Sequence, residues 1–278
     1  GPSASSPSSE LSDTSGSGVA GHVETVNIVT KNSATTPANA TMSFDLAAAK
    51  ATTLNVTGNA GINFLADATT ARTKVTTLDA SGMSIIKDTY AGVTFTSANN
   101  TANAAVTITG SGGIDFLTGG STTNDTISGG AGVDTLTYLG GRDVYTGGAG
   151  KDAFNVESLQ DNVTADYLTI ADFTKGDTLD LSTTIAFVIA NDADGIGAAT
   201  TLGAGATFTE LLNEASKGSG NTGSASLVNW FQYSGDTYFV VDGNSSASFT
   251  QSSDLLVKFT GEIDLSKSTL GAETLTMV

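Results

Sequence analysis

Five aspartates between residues 110 and 155 have the residue type and the spacing to bind cations. They are separated by 10, 9, 9 and 9 residues along the chain and are Asp115, Asp125, Asp134, Asp143 and Asp152. Glycine-containing segments separate them. Carboxylates that recur in glycine-rich turns supply the oxygen ligands that Ca²⁺ prefers. The spacing therefore predicts a series of calcium sites.

The segment that carries these aspartates divides into repeated turn-and-strand units. In chain order the units are GSGGIDFLT, GGSTTNDTIS, GGAGVDTLT, YLGGRDVYT and GGAGKDAFN. About six residues of each unit form a turn, since Gly tolerates tight-turn backbone angles, and about three form a strand with one large residue facing inward. The predicted inward residues are Leu117, Ile127, Leu136, Tyr145 and Phe154.

Two units complete one coil of the predicted solenoid, so aspartates about 18 residues apart lie on the same edge. One edge carries Asp115, Asp134 and Asp152, and the other carries Asp125 and Asp143. Stacked rungs lie about 4.8 Å apart. Because unscreened carboxylates repel at that distance, a divalent cation between the rungs would stabilise the stack.

Backbone carbonyls of the glycine-rich turns are the predicted co-ligands. Ca²⁺ accepts about six to eight oxygens in flexible geometry, whereas Mg²⁺ demands a tighter octahedron and keeps its water. The predicted carbonyl ligands belong to Gly110, Gly112, Gly119, Gly129, Ala131, Gly140, Gly147 and Ala149. Two units depart from the pattern, since GGSTTNDTIS contains an extra residue and YLGGRDVYT begins with a bulky pair. The sites of Asp125 and of the Tyr138 turn are therefore the least regular.

The in-phase repeats resemble the G-G-x-G-x-D-x-U-x nonapeptide of the RTX proteins, which Gram-negative bacteria export by type I secretion. The resemblance implies a calcium-binding β-roll. The next segment, AFNVESLQDNVTADYLTIADFTKGDTLDLS, is similar to the sequence that caps the roll in serralysin-like members. On that match the candidate ligands or cap residues are Asp166, Asp172, Asp177 and Asp180.

The flanking sequence looks like RTX surface-layer proteins of the Caulobacter kind. The Thr- and Val-rich part before the repeats and the tail from LVNWFQYSGDTYFVV onward carry this similarity. It implies a protein secreted to the surface of a Gram-negative bacterium, with a type I secretion signal in its C-terminal region. It also implies self-association into a two-dimensional lattice, contact with the type I secretion machinery and outer-membrane polysaccharide as a candidate partner.

Short β-prone segments upstream of the repeats predict that the solenoid begins before them. Thr25–Ile28, Thr53–Val56 and Thr77–Ala80 recur at intervals of 28 and 24 residues, which suits a strand, a turn and a return strand. Val93–Thr96 and Val106–Thr109 continue the series. A β-sandwich with similar strands is the alternative.

The predicted fold is all-β. It is a parallel β-roll or β-helix solenoid with calcium between its rungs, followed by a small, mainly β C-terminal module that contains one short helix. The predicted divisions are 1–20, a flexible linker or cloning remnant; 21–109, a Thr/Val-rich solenoid ladder; 110–182, the calcium-binding roll and its cap; and 183–278, the C-terminal module.

The C-terminal module contains the predicted helix and an aromatic hairpin. The helix spans Phe208 to Gly218, with Thr209 as the N-cap and Gly218 as the stop. Aromatic residues before a Ser-Gly-Asp turn predict a hairpin that buries them, and an aromatic platform for sugars is the alternative. These aromatic residues are Trp230, Phe231 and Tyr233.

Composition excludes several function classes. Eleven Lys and Arg against 28 Asp and Glu give a net charge of −17, whereas nucleic acids require clustered basic residues. The chain has no Cys, and its one histidine, His22, cannot build a histidine zinc site. Because no H-E-x-x-H, G-x-S-x-G or P-loop motif occurs, we expect no catalytic residues and no nucleic-acid partner.

The expected function is structural, with calcium as the cofactor that holds the rungs of a surface-layer protein together. Two alternatives stay open at this point. One is a secreted adhesin or carbohydrate-binding RTX protein, and the other is the accessory C-terminal half of a secreted hydrolase.

Overall fold

The computed structural model describes residues 8–13, 24–32, 41–44, 51–64, 74–85, 91–99, 104–158, 167–181, 196, 198–217, 227–243, 246, 248–250, 253–271 and 274–278. Within these ranges the chain forms twenty β-strands, one α-helix and one short 3-10 helix. The elements in chain order are β1 (Ser8–Asp13), β2 (Thr25–Lys31), β3 (Thr41–Phe44), β4 (Thr53–Gly58), β5 (Gly61–Phe64), β6 (Thr77–Met83), β7 (Ala91–Thr96), β8 (Thr107–Thr109), β9 (Ile114–Thr118), β10 (Thr126–Ala131), β11 (Thr135–Tyr138), β12 (Val144–Ala149), β13 (Ala153–Val156), β14 (Leu168–Ile170), β15 (Thr178–Leu181), α1 (Phe208–Ala215), β16 (Leu227–Tyr233), β17 (Asp236–Asp242), β18 (Leu255–Phe259), the 3-10 helix (Leu265–Lys267), β19 (Thr269–Leu270) and β20 (Thr274–Thr276).

Successive strands from β2 to β15 alternate between two stacked sheets. The first sheet contains the even-numbered strands β2 to β14, and the second contains the odd-numbered strands β3 to β15. Neighbouring strands in each of these runs are parallel. One coil therefore contributes one strand to each sheet, as in a β-solenoid. The predicted all-β solenoid is confirmed, and a sandwich of antiparallel strands does not fit this pairing.

The Thr-rich rungs stack in register because their side chains alternate between the core and the surface. One outward column of the first sheet consists of Thr25, Thr53, Thr77, Thr107 and Thr126. In the neighbouring column, Asn55 Nδ2 donates a hydrogen bond to Asn27 Oδ1 at 2.8 Å. Leu54 and Leu78, which lie between the two columns in sequence, are fully buried.

The five residues predicted to face inward in the repeats fill the interior of the roll. Each of them is at most 1% exposed, and burial of such a side chain stabilises a fold by about 1.5 to 3 kcal/mol. Tyr138 is a sixth side chain in this interior, and its ring lies edge-on to the ring of Tyr145, with ring centroids 6.4 Å apart. The predicted inward residues are therefore confirmed.

The two sheets continue through the predicted boundaries at 109/110 and 182/183. Strand β8 pairs with β10 at the first boundary. After the last coil, β18 joins β14 in parallel, and β17 and β16 extend the first sheet with antiparallel pairing. Strand β20 pairs with β15 in the second sheet. The C-terminal module therefore covers the end of the roll.

Within its described residues, the C-terminal module contains one α-helix, α1, whose start differs from the predicted one. Thr207 is the N-cap, since its hydroxyl accepts a hydrogen bond from Glu210 N and Glu210 Oε2 accepts one from Thr207 N at 2.8 Å. The prediction of Thr209 was wrong because the capping box needs its acid three residues after the cap. The predicted stop, Gly218, lies outside the described residues, and Ser216 is the C-cap.

The C-terminal hairpin buries two of the three aromatic side chains predicted to be buried, whereas Tyr233 is half-buried. Trp230 is 4% exposed within the main core, and Phe231 is fully buried beneath α1. Phe208 of α1 lies edge-on to Tyr238, with ring centroids 4.9 Å apart. Trp230 and Phe231 therefore offer no open face on which a sugar ring could stack.

The N-terminal segment is more ordered than its composition suggests. Ser8–Asp13 forms β1, which pairs antiparallel with β2, so the expectation of little fixed structure was wrong for these residues. Backbone hydrogen bonds to an exposed sheet edge outweigh the weak β-propensity of Ser and Asp there. Among the described residues, no helix is long and apolar enough to cross a membrane.

Candidate metal centre

The five repeat aspartates lie in two hydrogen-bonded ladders, one on each edge of the roll. Asp115 N donates to Asp134 Oδ1 at 2.9 Å, and Asp134 N donates to Asp152 Oδ1 at 2.9 Å. On the other edge, Asp125 N donates to Asp143 Oδ1 at 2.8 Å. We call the first ladder the Asp134 edge (Asp115, Asp134, Asp152) and the second the Asp143 edge (Asp125, Asp143). This grouping is the one predicted from the spacing.

Each carboxylate in these ladders is at most 1% exposed. A buried carboxylate is unfavourable unless it is hydrogen-bonded or near a cation. The hydrogen bond from the preceding rung provides part of that compensation through Oδ1 and fixes the register of adjacent coils. The surroundings of Oδ2, the second oxygen, differ between the two edges.

On the Asp134 edge, Oδ2 faces a cradle of glycine backbone. A Cβ atom added to Gly129 would lie 2.5 Å from Asp134 Oδ2 and 2.7 Å from the carbonyl oxygen of Gly147. A Cβ added to Gly147 would lie 2.5 Å from Asp152 Oδ2. The cradle therefore exists only because these positions carry no side chain, and it brings carboxylate and carbonyl oxygens of neighbouring coils together.

Asp115 begins this edge and has different partners. Ser111 N donates to Asp115 Oδ2 at 2.7 Å, and the Ser111 hydroxyl lies 3.0 and 3.1 Å from the two carboxylate oxygens. Val93 N donates to Asp115 Oδ1. Burial raises the pKa of Asp115 to about 6, although these hydrogen bonds oppose the shift. Ser111 stands where three of the other four repeats have Gly.

On the Asp143 edge, side-chain hydroxyls contact the carboxylates. Tyr145 Oη lies 3.1 Å from Asp143 Oδ2 and 3.0 Å from the carbonyl oxygen of Thr137. Burial, followed by the negative charge of Asp125, raises the pKa of Asp143 to about 8. Asp125 accepts hydrogen bonds from Thr123 Oγ1 at 2.8 Å and from Gly120 N at 2.5 Å. Protein donors thus surround both carboxyl groups on this edge.

The cap acids predicted by resemblance divide into two groups. Asp172 accepts hydrogen bonds from Gly147 N and Gly148 N, both at 2.8 Å, and Asp177 accepts from Asp152 N at 2.9 Å and Thr174 N at 2.7 Å. Both close the end of the roll. Asp180 lies on the outward face of β15, away from the ladders, because its sequence neighbours face the core. Asp166 lies outside the described residues.

The predicted carbonyl ligands are also unequally placed. Gly110, Gly129 and Gly147 lie along the Asp134 edge, where a Cβ on Gly110 would lie 2.7 Å from Asp115 Oδ2. Gly119 lies beside Asp125, and Gly140 lies against the carbonyl of Ser121. Three predicted carbonyl ligands remain. Gly112 lies near the carbonyl of Ile85, Ala131 N donates a hydrogen bond to Ser111 O, and the carbonyl of Ala149 accepts one from Gly132 N.

Sequence reasoning missed Tyr145, Thr123 and Ser111 as polar partners of the ladders. Tyr145 was predicted only as an inward apolar residue. The signal was present, because residues i and i+2 of a strand point to the same side, which brings the Tyr145 hydroxyl back towards Asp143. Thr123 likewise lies two residues before Asp125, and Ser111 lies four residues before Asp115.

The donor set on the Asp134 edge fits calcium. Among the described residues, no three side chains of Asp, Glu or His lie close enough together to hold a metal ion. Any ion there would need backbone carbonyls as well as carboxylates, and Ca²⁺ accepts both. Asp134 and Asp152 with the carbonyls of Gly129 and Gly147 are the residues that would hold it. No protein-family model and no curated protein matches the chain.

Proposed function

We propose that this chain is a structural, calcium-stabilised β-roll of an exported bacterial surface-layer protein and has no catalytic role. The glycine cradle of the Asp134 edge is the observation that supports calcium. Its aspartates lie on successive coils, their Oδ2 atoms are buried, and carbonyl oxygens approach them where a side chain would otherwise stand.

Calcium would act on this fold by thermodynamic linkage. An ion that binds only the stacked coils stabilises them by RT ln(1 + [Ca²⁺]/Kd), or about 2.7 kcal/mol for one site at a hundred times Kd. The net charge of −17 opposes compaction of the chain, and bound cations reduce that charge. Calcium-poor conditions would therefore favour the unfolded chain that a secretion channel accepts.

The surface-layer assignment is supported by the sequence resemblance. It implies type I secretion, a Gram-negative cell surface and self-association into a two-dimensional lattice, with polysaccharide as a candidate anchor. The two-sheet solenoid is compatible with that role, since each coil stacks on its neighbours and the stack extends in one direction. The buried positions of Trp230 and Phe231 remove two of the three aromatics on which a carbohydrate-binding role would depend.

Calcium titration of chelated protein, followed by circular dichroism and particle size, tests this proposal. We expect a cooperative gain of β-signal and growth into ordered sheets visible in electron micrographs, with magnesium ineffective at equal concentration. Folding without assembly would contradict the lattice role and favour an adhesin or the accessory half of a hydrolase. An unchanged spectrum would contradict the role of calcium altogether.

A further inference from the structure

We propose that the roll binds calcium on one edge only, and that the hydroxyls of Tyr145, Tyr138 and Thr123 take the place of calcium on the Asp143 edge. This inference rests on the proposed calcium-binding function. The roll would then have one calcium-binding edge and one edge closed by the protein's own hydrogen-bond donors, and would not bind calcium on both edges.

The carboxyl group of Asp143 supports this inference most directly. Its Oδ1 accepts a hydrogen bond from Asp125 N at 2.8 Å, and its Oδ2 lies 3.1 Å from the hydroxyl of Tyr145. Tyr145 is fully buried, and its hydroxyl is also held by the carbonyl of Thr137 at 3.0 Å. The hydroxyl therefore has a fixed position beside the carboxyl oxygen that an ion would need.

A second tyrosine donates a hydrogen bond to a carbonyl oxygen of the same turn. Tyr138 Oη donates to the carbonyl oxygen of Gly141 at 2.7 Å. Tyr138 is fully buried, and its ring contacts that of Tyr145. The two tyrosines thus place hydroxyl groups beside both kinds of oxygen, carboxylate and carbonyl, that calcium would use in this turn.

Asp125, the other carboxylate of this edge, also accepts hydrogen bonds from protein donors. Thr123 Oγ1 lies 2.8 Å from Asp125 Oδ1, and Gly120 N lies 2.5 Å from Asp125 Oδ2. Val106 N donates to Oδ1 at 2.8 Å. A Cβ on Gly119 would lie 3.1 Å from Tyr145 Oη, so the tyrosine hydroxyl also occupies the glycine cradle here.

The contrast with the Asp134 edge is a difference of residue type at equivalent positions. Two residues after Asp134 the repeat has Leu136, and two residues after Asp152 it has Phe154, neither of which has a hydroxyl. The atoms nearest to a Cβ on Gly129 are accordingly a carboxylate and a carbonyl oxygen, of Asp134 and Gly147, and the atom nearest to a Cβ on Gly147 is a carboxylate oxygen of Asp152. The residue types beside Asp134 and Asp152 therefore leave this part of the edge able to accept an ion, whereas Asp115 at its start already accepts hydrogen bonds from Ser111.

The first test counts bound ions in the folded protein by native mass spectrometry and isothermal titration with CaCl₂. We expect Asp134→Asn and Asp152→Asn each to lower the number of bound ions, and Asp143→Asn to leave both number and affinity unchanged. Equal losses from Asp134→Asn and Asp143→Asn would overturn the one-edge inference while leaving the calcium function intact. No binding by the wild-type protein would overturn the proposed function instead.

The second test removes the hydroxyl that closes the edge. Tyr145→Phe keeps the ring in the core, and we expect it to gain one bound ion relative to wild type. Tyr233→Phe is the matched control, since Tyr233 is half-buried in β16, outside the roll, and it should leave the count unchanged. A folded Tyr145→Phe variant with the wild-type count would overturn the role assigned to the hydroxyl.

Discussion

The two edges of the roll are built from the same repeat but have different chemistry. On the Asp134 edge, glycine backbone faces the buried carboxylates of Asp134 and Asp152, and only Asp115 at its start contacts a side-chain hydroxyl, that of Ser111. On the Asp143 edge, the same carboxylate positions are met by Tyr145 and Thr123. If calcium binds as proposed, a repeat aspartate is not by itself an ion site, because the residues around its second oxygen determine whether a cation or a protein donor compensates its burial.

The alternative compensations have different physical consequences. A hydroxyl donor contributes about 1 to 2 kcal/mol and is always present, whereas a bound ion contributes in proportion to the logarithm of its concentration. A roll with one edge of each kind would keep its register through the hydroxyl edge and respond to calcium through the other.

The largest effect is expected from removing the carboxylates of one edge at a time. The double variant that carries Asp134→Asn and Asp152→Asn should lose most of the calcium-induced stabilisation. That stabilisation is about 5 kcal/mol for two sites when the free Ca²⁺ concentration is a hundred times Kd. The matched variant, Asp125→Asn with Asp143→Asn, should retain it. Thermal unfolding with and without excess CaCl₂ measures both, and equal responses of the two variants would contradict the comparison.

A pH dependence should distinguish the Asp143 edge in calcium-free protein. Burial raises the pKa of Asp143 to about 8 and that of Asp115 to about 6, whereas an unfolded Asp titrates near pH 4. A raised folded-state pKa means that the folded protein holds protons more tightly, so its stability should fall as pH rises from about 4 to 8. Denaturant unfolding across this range gives the slope.

Asp143→Asn provides the control for that slope. The amide keeps the shape of the neutral acid and does not titrate, so the fall in stability between pH 6 and 8 should flatten. Asp180→Asn, on the outward face of β15, should keep the wild-type slope. A wild-type slope in Asp143→Asn would assign the pH dependence to another group.

A methyl group should close the glycine cradle. Gly129→Ala would bring Cβ to 2.5 Å from Asp134 Oδ2 and 2.7 Å from Gly147 O, so we expect a loss of about 2 kcal/mol in stability from overpacking together with weaker calcium binding. Gly203→Ala is the control, because its Cβ would meet nothing within 4 Å. Unchanged stability and calcium affinity in Gly129→Ala would show that no tight cradle exists.

The smallest effect is expected from the tyrosine hydroxyl in calcium-free protein. Tyr145→Phe deletes the contacts to Asp143 and Thr137, and its cost should be about 1 to 2 kcal/mol, measured by urea unfolding. Tyr233→Phe should change stability by less than about 0.5 kcal/mol. A cost for Tyr145→Phe no greater than for Tyr233→Phe would mean that the hydroxyl contributes nothing to this edge.

The sequence alone determined the period of the solenoid and the residues that line its interior. Inward residues such as Leu136 and Phe154 followed from the nine-residue repeat, and stacking of Thr25 on Thr53 followed from Thr-rich segments of similar pattern. These features depend on local alternation and on repetition, both of which are visible in the order of residues. The grouping of aspartates on two edges followed from the same period.

The tertiary structure decided which oxygens meet and where the chain closes. Asp172 reaches Gly147 and Gly148 across 25 and 24 residues, respectively, and β18 returns to pair with β14. Both contacts depend on the path of the intervening chain. The Tyr145 hydroxyl contacts Asp143 because the coil fixes ring and carboxyl side by side in the interior. Such contacts depend on distances of a few ångströms between stacked coils, which the order of residues does not specify.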